Sequence, residues 1–342
     1  MRGSSLIFCH FGLLVARFTS KMALNGFSVV HFRFFGRAMT ALERDSACVT
    51  GYVRNLRGGS QPILAQASDG QLYVVKFTNN LQGANLPFNE SMGSELYRAC
   101  GLAVPQWKPL LVHDSFIEQN QDCWMQTPEG RLRPERGLCF GSRYLGGDGM
   151  RLLEILPGNS FKRVRNLKSF WLAWMIDICA QHTDNRQSLF QEDDSGRLNA
   201  FFVDHGHMFG GPKGEHQPRF QASHYLDYRV YRSVSSQYLL SFQKIAGSLD
   251  LDQLWKCVQK LPDNWKTQSA FDRFAQCLHR LSNASLLQNI LETMVDFHRR
   301  TNERKDAKSE RKPPRAVLCL GVPATGTGQR LSETADNYRA CA

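Results

Sequence analysis

The chain has 342 residues, of which 42% are hydrophobic, and a formal net charge of +11. This length and composition allow one large globular domain or two smaller ones. The positive charge would favour a nucleic-acid partner if it were spread over the fold. However, residues 1–42 contribute +5 and residues 301–342 contribute +3, which leaves only +3 for residues 43–300. The sequence therefore argues against nucleic acid as a partner, except through the basic ends.

The cysteine pattern bears on the cellular compartment. Ten cysteines are scattered along the chain, with no Cys-x-x-Cys pair and no clustering with histidine. Structural zinc sites usually show closely spaced Cys and His pairs, and disulfide frameworks are typical of small secreted domains rich in cysteine, so the pattern argues against both. Scattered cysteines fit a reducing compartment, and we expect a cytoplasmic protein without an integral membrane segment.

Residues 1–42 differ from the rest of the chain because they contain five basic residues and no acidic one. An apolar run over residues 6–16 is too short to span a bilayer. A signal peptide or an organelle-targeting segment is one interpretation of this region. The interpretation we favour is an N-terminal extension, disordered or targeting, that precedes a working protein starting near Met39.

Residues 43–145 carry the pattern of a small antiparallel sheet. Short strands are predicted over residues 48–54, 62–66 and 71–77. The turn between the first two contains Gly58, Gly59, Ser60 and Gln61. Glycines in this turn would let backbone N–H groups approach a phosphate closely, although a Gly-Gly pair between strands is also a common hairpin turn.

Lys76 lies within the third predicted strand, on a face that also carries apolar residues. A lysine buried there needs an ionic partner, whereas a lysine at a sheet edge could extend its amine into solvent. A helix is predicted over residues 86–101, from the apolar spacing and from Gly101 at its end. Its early turns offer Glu90 as the partner of Lys76, and Glu95 is the competing carboxylate.

The second half of this region contains two further strands and an insertion. The strands are predicted over residues 108–112 and 138–144, with a polar inserted loop over residues 118–136. Gly146 and Gly147 follow the second strand and would suit a hinge between two domains.

Residues 146–300 are predicted to be mainly helical. A strongly apolar helix over residues 167–181 leads into a polar segment. Later helices are predicted over residues 234–246, 251–261, 268–281 and 285–299. Residues 301–342 are charged and lack clear periodicity, so we expect a disordered basic tail there.

Two aspartates, Asp184 and Asp204, flank a predicted β-hairpin that follows the apolar helix. Residues 189–190 and 200–203 are apolar and are separated by a polar turn. A hairpin would bring both carboxylates to the same end, within reach of one ligand. One carboxylate could then orient or deprotonate a hydroxyl while the other holds a metal ion against phosphate. Two solvated turn aspartates are the alternative.

Taken in chain order, these residues resemble the HipA-like kinase domain family, a divergent branch of the protein-kinase and phosphoinositide-kinase folds. The resemblance covers roughly residues 48–300. It rests on GGSQP at 58–62, DGQLYVVKF at 69–77, NE at 89–90, GLAVP at 101–105, TDNRQSLF at 183–190 and FVDHGHMF at 202–209. It implies a two-lobed, kinase-like α+β fold with an antiparallel-sheet small lobe over residues 43–145 and a mainly helical large lobe over residues 146–300.

The resemblance also implies roles in binding ATP and Mg²⁺. The turn formed by Gly58, Gly59, Ser60 and Gln61 would cover the phosphates. The strand that contains Ser142 would line the adenine pocket. Lys76 would contact the phosphates and be held in place by Glu90.

The two aspartates would then divide the catalytic work, with Asp184 as the catalytic-loop residue and Asp204 as the metal ligand. Family members usually carry an asparagine a few residues after the catalytic aspartate, as a second metal ligand. This chain has Leu189 near that position, so Asn185 or Gln187 would have to substitute.

The resemblance implies a kinase that transfers the γ-phosphoryl group of ATP to a hydroxyl, on Ser or Thr of an unknown protein substrate. The alternative is a pseudokinase, which would bind nucleotide or act as a scaffold with little turnover. The departure at Leu189 favours this alternative.

Overall fold

The computed structural model describes residues 40–146, 150–158, 160–214, 223–231, 236–306 and 318–319. The predicted α+β class is confirmed, with a small lobe built on antiparallel strands and a large lobe that is mainly helical. Each lobe has its own cluster of buried apolar side chains. The predicted extension over residues 1–42 lies outside the described residues except for its last three.

The small lobe is a five-stranded barrel. In chain order its elements are α1 (Ala41–Asp45), β1 (Ala47–Asn55), β2 (Ile63–Ala67), β3 (Leu72–Lys76), α2 (Leu86–Ala99), β4 (Trp107–Val112), α3 (Asp114–Gln119), β5 (Met125–Thr127), β6 (Gly130–Leu132) and β7 (Gly137–Arg143). The strand order β1-β2-β3-β7-β4 is closed by a parallel pairing of β1 with β4. Closure leaves the barrel without exposed strand edges.

Alternation along β3 sorts its side chains between the barrel interior and a cleft. Tyr73, Val75 and Phe77 pack inside the barrel, whereas Val74 and Lys76 line the cleft. This is the alternation that the sequence predicted. Lys76 therefore extends into the cleft from a rigid strand of the barrel.

Residues 118–136, which were predicted to form a loop, contain regular secondary structure. The β5–β6 hairpin lies within this segment, and the guanidinium of Arg133 donates to the carbonyl groups of Asn120 (3.0 Å), Gln121 (2.8 Å) and Cys123 (2.8 Å). One arginine thus satisfies several main-chain acceptors that would otherwise have no regular partner.

Helix α2 packs against both lobes. It begins with Pro87 in its first turn and ends before Gly101, which has a φ of 76°, close to the predicted bounds. Its buried side chains, including Phe88, Met92 and Tyr97, belong to the large-lobe cluster, which also includes three side chains of β4 and β7, namely Leu111, Leu138 and Phe140. The helix therefore lies between the barrel and the large lobe, and it contributes Glu90 and Ser94 to the cleft.

The large lobe contains a small sheet and five helices among the described residues. In chain order its elements are β8 (Leu152–Leu153), α4 (Ser169–Cys179), β9 (Gln187–Glu192), β10 (Leu198–Val203), α5 (Ser236–Gly247), α6 (Leu251–Lys260), α7 (Gln268–Ser282), α8 (Ala284–Asp306) and β11 (Leu318–Cys319). Helix α4 is buried on nearly every side, with Trp171 and Trp174 in the core. The sheet has the order β10-β9-β8-β11.

Part of the region predicted as a disordered tail has secondary structure. Helix α8 continues to Asp306, and Leu318 and Cys319 pair with β8. Helix α8 therefore extends five residues past the predicted start of the tail at residue 301. None of the helices in the described residues combines the length and the apolar character needed to cross a bilayer.

Candidate active site

The β9–β10 hairpin brings the two predicted aspartates to the same end. The strands are antiparallel, with Gln187 paired with Val203. Asp184 comes three residues before β9, and Asp204 directly follows β10. Both residues line one cleft with a volume of about 1720 Å³.

The cleft is walled by both lobes. Apolar side chains from the barrel and from the large-lobe sheet face each other across it, including Val74, Phe140, Leu152 and Leu189. Such a slot suits a planar apolar group with polar groups at one end. The predicted site residues that line the cleft are Gly58, Ser60, Lys76, Glu90, Ser142, Asp184, Asn185, Gln187 and Asp204. Gly59 and Gln61 do not line it in the part of the chain that the structure describes.

Lys76 joins the small lobe to the two acidic elements of the large lobe. Its Nζ donates to Oε1 of Glu90 and, at 2.8 Å, to Oδ1 of Asp204. Lys76 is only 7% exposed, which excludes the alternative of an edge lysine reaching solvent. Glu95 faces elsewhere, because it accepts a hydrogen bond from Nε1 of Trp107 at 2.7 Å.

Charge complementarity sets the protonation states of Lys76, Glu90 and Asp204. Burial alone would lower the pKa of Lys76, but the carboxylates of Asp204 and Glu90 outweigh burial and hold that pKa above its ordinary value. Burial would raise the pKa of Asp204, but the Lys76 ammonium holds it well below its usual range. Burial keeps the pKa of Glu90 above its ordinary value, against the opposing effect of Lys76. At neutral pH Lys76 is therefore a cation and Asp204 an anion.

The main chain at Asp204 is held in an uncommon conformation. Asp204 has a φ of 60°, in the left-handed region that non-glycine residues rarely adopt. Glu90 accepts from the backbone N–H groups of His205 (3.1 Å) and Gly206 (2.9 Å), and Nδ2 of Asn89 donates to the carbonyls of Gly206 and Met208, both at 2.8 Å. Helix α2 thus fixes this turn through two adjacent side chains.

Gly206 is required by the close approach of α2. A Cβ atom at this position would lie 2.8 Å from Cδ1 of Leu86 and 2.9 Å from Oε1 of Glu90. Both distances are shorter than real Cβ contacts, so a larger residue would push the turn away from Glu90.

The loop that carries Asp184 is organised by His182. The Nδ1 atom of His182 donates to the carbonyl of Asp184 at 2.6 Å, and Oδ1 of Asp184 accepts from the backbone N–H of Asn185 at 2.7 Å. Among the described residues, no lysine or arginine forms an ion pair with the Asp184 carboxylate. Asp184 therefore presents a carboxylate to the cleft from a fixed loop.

The glycine-containing turn differs in part from its prediction. Gly58 has a φ of 133°, which favours glycine, and Ser60 is buried against the cleft. The side chain of Gln61, however, exchanges hydrogen bonds of 2.8 and 2.6 Å with the main chain of Gln126. The backbone N–H of Gln61 donates to the carbonyl of Gly58 at 3.0 Å, so any contact with a phosphate is left to the other residues of the turn.

Arg186 is a buried site residue that the sequence reasoning missed. It lines the cleft between Asn185 and Gln187, and its guanidinium pairs with Asp177 in the last turn of α4. The available signal was Asp177 itself, since a carboxylate within a strongly apolar helix needs a cation.

The residues present fit a Mg²⁺–nucleotide pair. Mg²⁺ is commonly bound by one or two carboxylates together with substrate phosphates and waters. Asp204 offers a carboxylate in which Lys76 binds one of the two oxygens, and Asn185 and Gln187 add amide oxygens along the same cleft. The described ranges contain no group of three or more His, Cys, Asp or Glu side chains that could hold a metal ion.

The buried His182 predicts a loss of stability in mild acid. Burial and then the Arg186 charge lower the pKa of His182 from 6.5 to about 4. Between these values the unfolded chain binds a proton that the folded protein cannot, so stability rises with pH in this window. We expect the free energy of unfolding to fall by about 3 kcal/mol between pH 6.5 and pH 4 from this group.

Urea unfolding across this pH range checks the expectation, with His182→Asn as the matched variant. The amide nitrogen of asparagine takes the place of Nδ1, which donates to the Asp184 carbonyl, but it does not titrate. The variant should show a shallower decline. Equal pH slopes in the two proteins would show that His182 is not the group responsible.

Comparison with known proteins finds no matching family model and no matching curated protein. Similar solved structures include the Golgi casein kinase, at 12% identity and a TM-score of 0.46 over 72% of this chain and 73% of that one. Hydra Fam20 matches at 12% identity and a TM-score of 0.48, over 73% of this chain and 86% of that one. The Helicobacter pylori proinflammatory kinase CtkA matches at 11% identity and a TM-score of 0.47, over 72% and 96%. Similarities this distant assign no activity.

Proposed function

We propose that this chain is an ATP-dependent kinase that transfers the γ-phosphoryl group of ATP to a hydroxyl, on Ser or Thr of a protein. The observation that supports it most is the position of Lys76 between Glu90 and Asp204, in a cleft that also presents Asp184. A fixed cation, a carboxylate that can hold metal and a second carboxylate that can act on the acceptor hydroxyl are the groups that phosphoryl transfer uses.

Each group has a distinct role in this proposal. The Lys76 ammonium would neutralise phosphate charge, with Glu90 fixing its position. Asp204, together with Asn185 or Gln187, would hold Mg²⁺, which supplies positive charge to the phosphates when bound. The turn from Gly58 to Gln61 would cover the phosphates with backbone N–H groups, and the wall containing Ser142 would hold the base.

Asp184 would act on the acceptor. The hydroxyl oxygen forms a bond to the γ-phosphorus as the bond to the bridging oxygen of ADP breaks. Asp184 would orient this hydroxyl and accept its proton. The short hydrogen bond from His182 to the Asp184 carbonyl would keep the loop in place during the transfer.

The finer assignments rest on the sequence resemblance. This proposal includes membership of the HipA-like family, a division into lobes at residues 43–145 and 146–300, and a protein substrate. So does a cytoplasmic location, which rests on the scattered cysteines.

A second candidate is a pseudokinase that binds nucleotide with little turnover. Leu189 occupies the position at which a second metal ligand is expected, and it lines the cleft. Its apolar side chain cannot coordinate a metal ion. Gln187 lies two residues earlier in β9, on the same face of the strand, and the kinase proposal requires its amide or that of Asn185 as the substitute.

Binding of Mg-ATP by the full chain is the first test. A ligand that binds only the folded state raises the free energy of unfolding by about 2.7 kcal/mol at a hundredfold excess over Kd. We expect the thermal midpoint to rise with ATP and Mg²⁺ together. A folded protein that shows no rise at millimolar nucleotide would contradict both candidates.

Asp204→Ala and Asp184→Ala form the matched pair for this assay. Asp204→Ala should lose the Mg²⁺-dependent part of the affinity, because it removes the metal ligand. Asp184→Ala should keep it, since no acceptor hydroxyl is present in a binding assay. Calorimetry on both variants measures the difference, and equal losses would reverse the assigned roles.

A further inference from the structure

The guanidinium of Arg186 is buried and pairs with Asp177 through two parallel hydrogen bonds. Nε donates to Oδ2 at 2.8 Å and Nη2 donates to Oδ1 at 2.6 Å. Both side chains are at most 1% exposed. Oδ1 of Asp177 also accepts from the hydroxyl of Tyr97 at 2.6 Å, and the Arg186 guanidinium lies over the Tyr97 ring at 4.9 Å. Helices α2 and α4 therefore fix the orientation of this arginine together.

The remaining nitrogen of the guanidinium reaches the end of β10. Nη1 donates to the carbonyl of Val203 at 2.9 Å and to the carbonyl of Asp204 at 3.4 Å, and it lies 3.4 Å from Nδ1 of His205. These are the residues at which the chain leaves the sheet and enters the left-handed conformation at Asp204. Arg186 thus supports the main chain on one side while Glu90 and Asn89 hold the following turn.

The backbone of Arg186 belongs to the other acidic loop, two residues after Asp184. A single residue therefore joins the main chain of the Asp184 loop to that of the Asp204 turn. Backbone conformations of this type are strained and persist only where surrounding contacts hold them. Without Arg186, the carbonyls of Val203 and Asp204 would lose a charged donor at the point of strain.

We propose that Arg186, oriented by Asp177 and Tyr97, is a positioning residue that fixes the Asp204 turn relative to Asp184 and thereby sets the metal affinity of the cleft. The part that concerns metal rests on the proposed function. The part that concerns the geometry of the turn does not.

A purely structural ion pair would behave differently. Replacing both partners of a buried pair with apolar residues is often neutral for stability, whereas removing one partner leaves an uncompensated charge. The double variant Asp177→Leu/Arg186→Met therefore removes the donors to Val203 and Asp204 without leaving a buried charge behind. Arg186→Lys is a second variant, which keeps a cation near Asp177 but loses the planar fork.

The first readout is amide hydrogen exchange on the full chain without ligand. We expect both variants to exchange faster over residues 203–208 than the wild type, while the thermal midpoint of the double variant stays close to the wild-type value. The second readout is the Kd for ATP in the presence of Mg²⁺. We expect it to weaken by about 10–100-fold, as is usual when a residue that supports a metal ligand is changed.

Arg280→Met is the matched control, because Arg280 donates to the carbonyl of Cys179 at 2.9 Å and does not line the cleft. It should change neither the exchange over residues 203–208 nor the Kd. Unchanged exchange over that segment in Arg186→Lys and in the double variant would overturn the inference. A wild type that does not bind Mg-ATP would overturn the proposed function, while the exchange result would still decide the role of Arg186 in the turn.

Discussion

Asp184→Asn should abolish phosphoryl transfer while leaving the fold and most of the affinity for Mg-ATP intact. In the wild type, Oδ1 of Asp184 accepts from the Asn185 backbone N–H at 2.7 Å. Asparagine is nearly isosteric, and its side-chain oxygen can still accept this hydrogen bond. The main-chain contact with His182 does not depend on the side chain. The amide cannot accept the proton of the attacking hydroxyl, and general acid–base groups typically contribute about 10²–10⁴ in rate.

Single-turnover transfer on the full chain measures this loss, and Asp193→Asn is the matched control. Asp193 lies at the turn end of the same hairpin, where Oδ1 accepts from the backbone N–H groups of Ser195 and Arg197 at 3.0 and 2.9 Å. Its substitution should leave the rate unchanged. An active wild type with an equally active Asp184→Asn would show that Asp184 is not the catalytic aspartate. A wild type that binds ATP but transfers no phosphate to itself, to lysate proteins or to water would favour the pseudokinase.

Local patterns in the sequence predict much of the fold. The period-2 alternation identifies β3 and places Lys76 on the cleft side. Proline near the start and glycine past the end delimit α2. The apolar–turn–apolar pattern predicts the β9–β10 hairpin, and hairpin geometry alone brings Asp184 and Asp204 to one end. These features need only neighbouring residues for their definition.

Features that depend on distant partners could not be predicted in this way. The parallel pairing of β1 with β4 joins segments about sixty residues apart. The position of α2 between the barrel and the large lobe cannot be deduced from its own sequence, because it depends on contacts with both lobes. The commitment of the Gln61 side chain to Gln126 depends on a hairpin that the sequence does not signal. The role of Arg186 depends on how two helices and two loops meet.

The choice between Glu90 and Glu95 depends both on the local helical pattern and on contacts with distant strands. Helical spacing places both carboxylates on α2, and only the approach of β3 and β10 selects one. Glu90 meets Lys76 and the backbone of His205, whereas Glu95 meets Trp107. This difference makes Glu95→Gln a control for any change at Lys76 or Glu90.

Lys76→Met should strongly destabilise the protein and eliminate phosphoryl transfer. Removing one partner of a buried ionic cluster costs about 3–5 kcal/mol, because the remaining charge loses its compensation. Here Glu90 and Asp204 would both remain, facing each other without the ammonium. Glu90→Gln should be milder, because Lys76 keeps Asp204 at 2.8 Å and the glutamine oxygen can replace Oε1 as the acceptor from Lys76 and the Gly206 backbone N–H. The backbone N–H of His205 would lose its acceptor. Glu95→Gln should have little effect on stability or transfer.

The destabilisation by Lys76→Met should also depend on pH in a defined direction. Burial already holds the pKa of Glu90 above its ordinary value in the presence of Lys76, and loss of the ammonium should raise it further. A group whose folded pKa is raised contributes stability at low pH and loses it as the pH rises through the folded pKa. The difference in unfolding free energy between wild type and Lys76→Met should therefore be larger at about pH 8 than at about pH 5. Comparison of the two proteins cancels the contribution of His182. A difference that is the same at both pH values would show that neither carboxylate takes up a proton when Lys76 is removed, and that the three residues are not coupled as their contacts indicate.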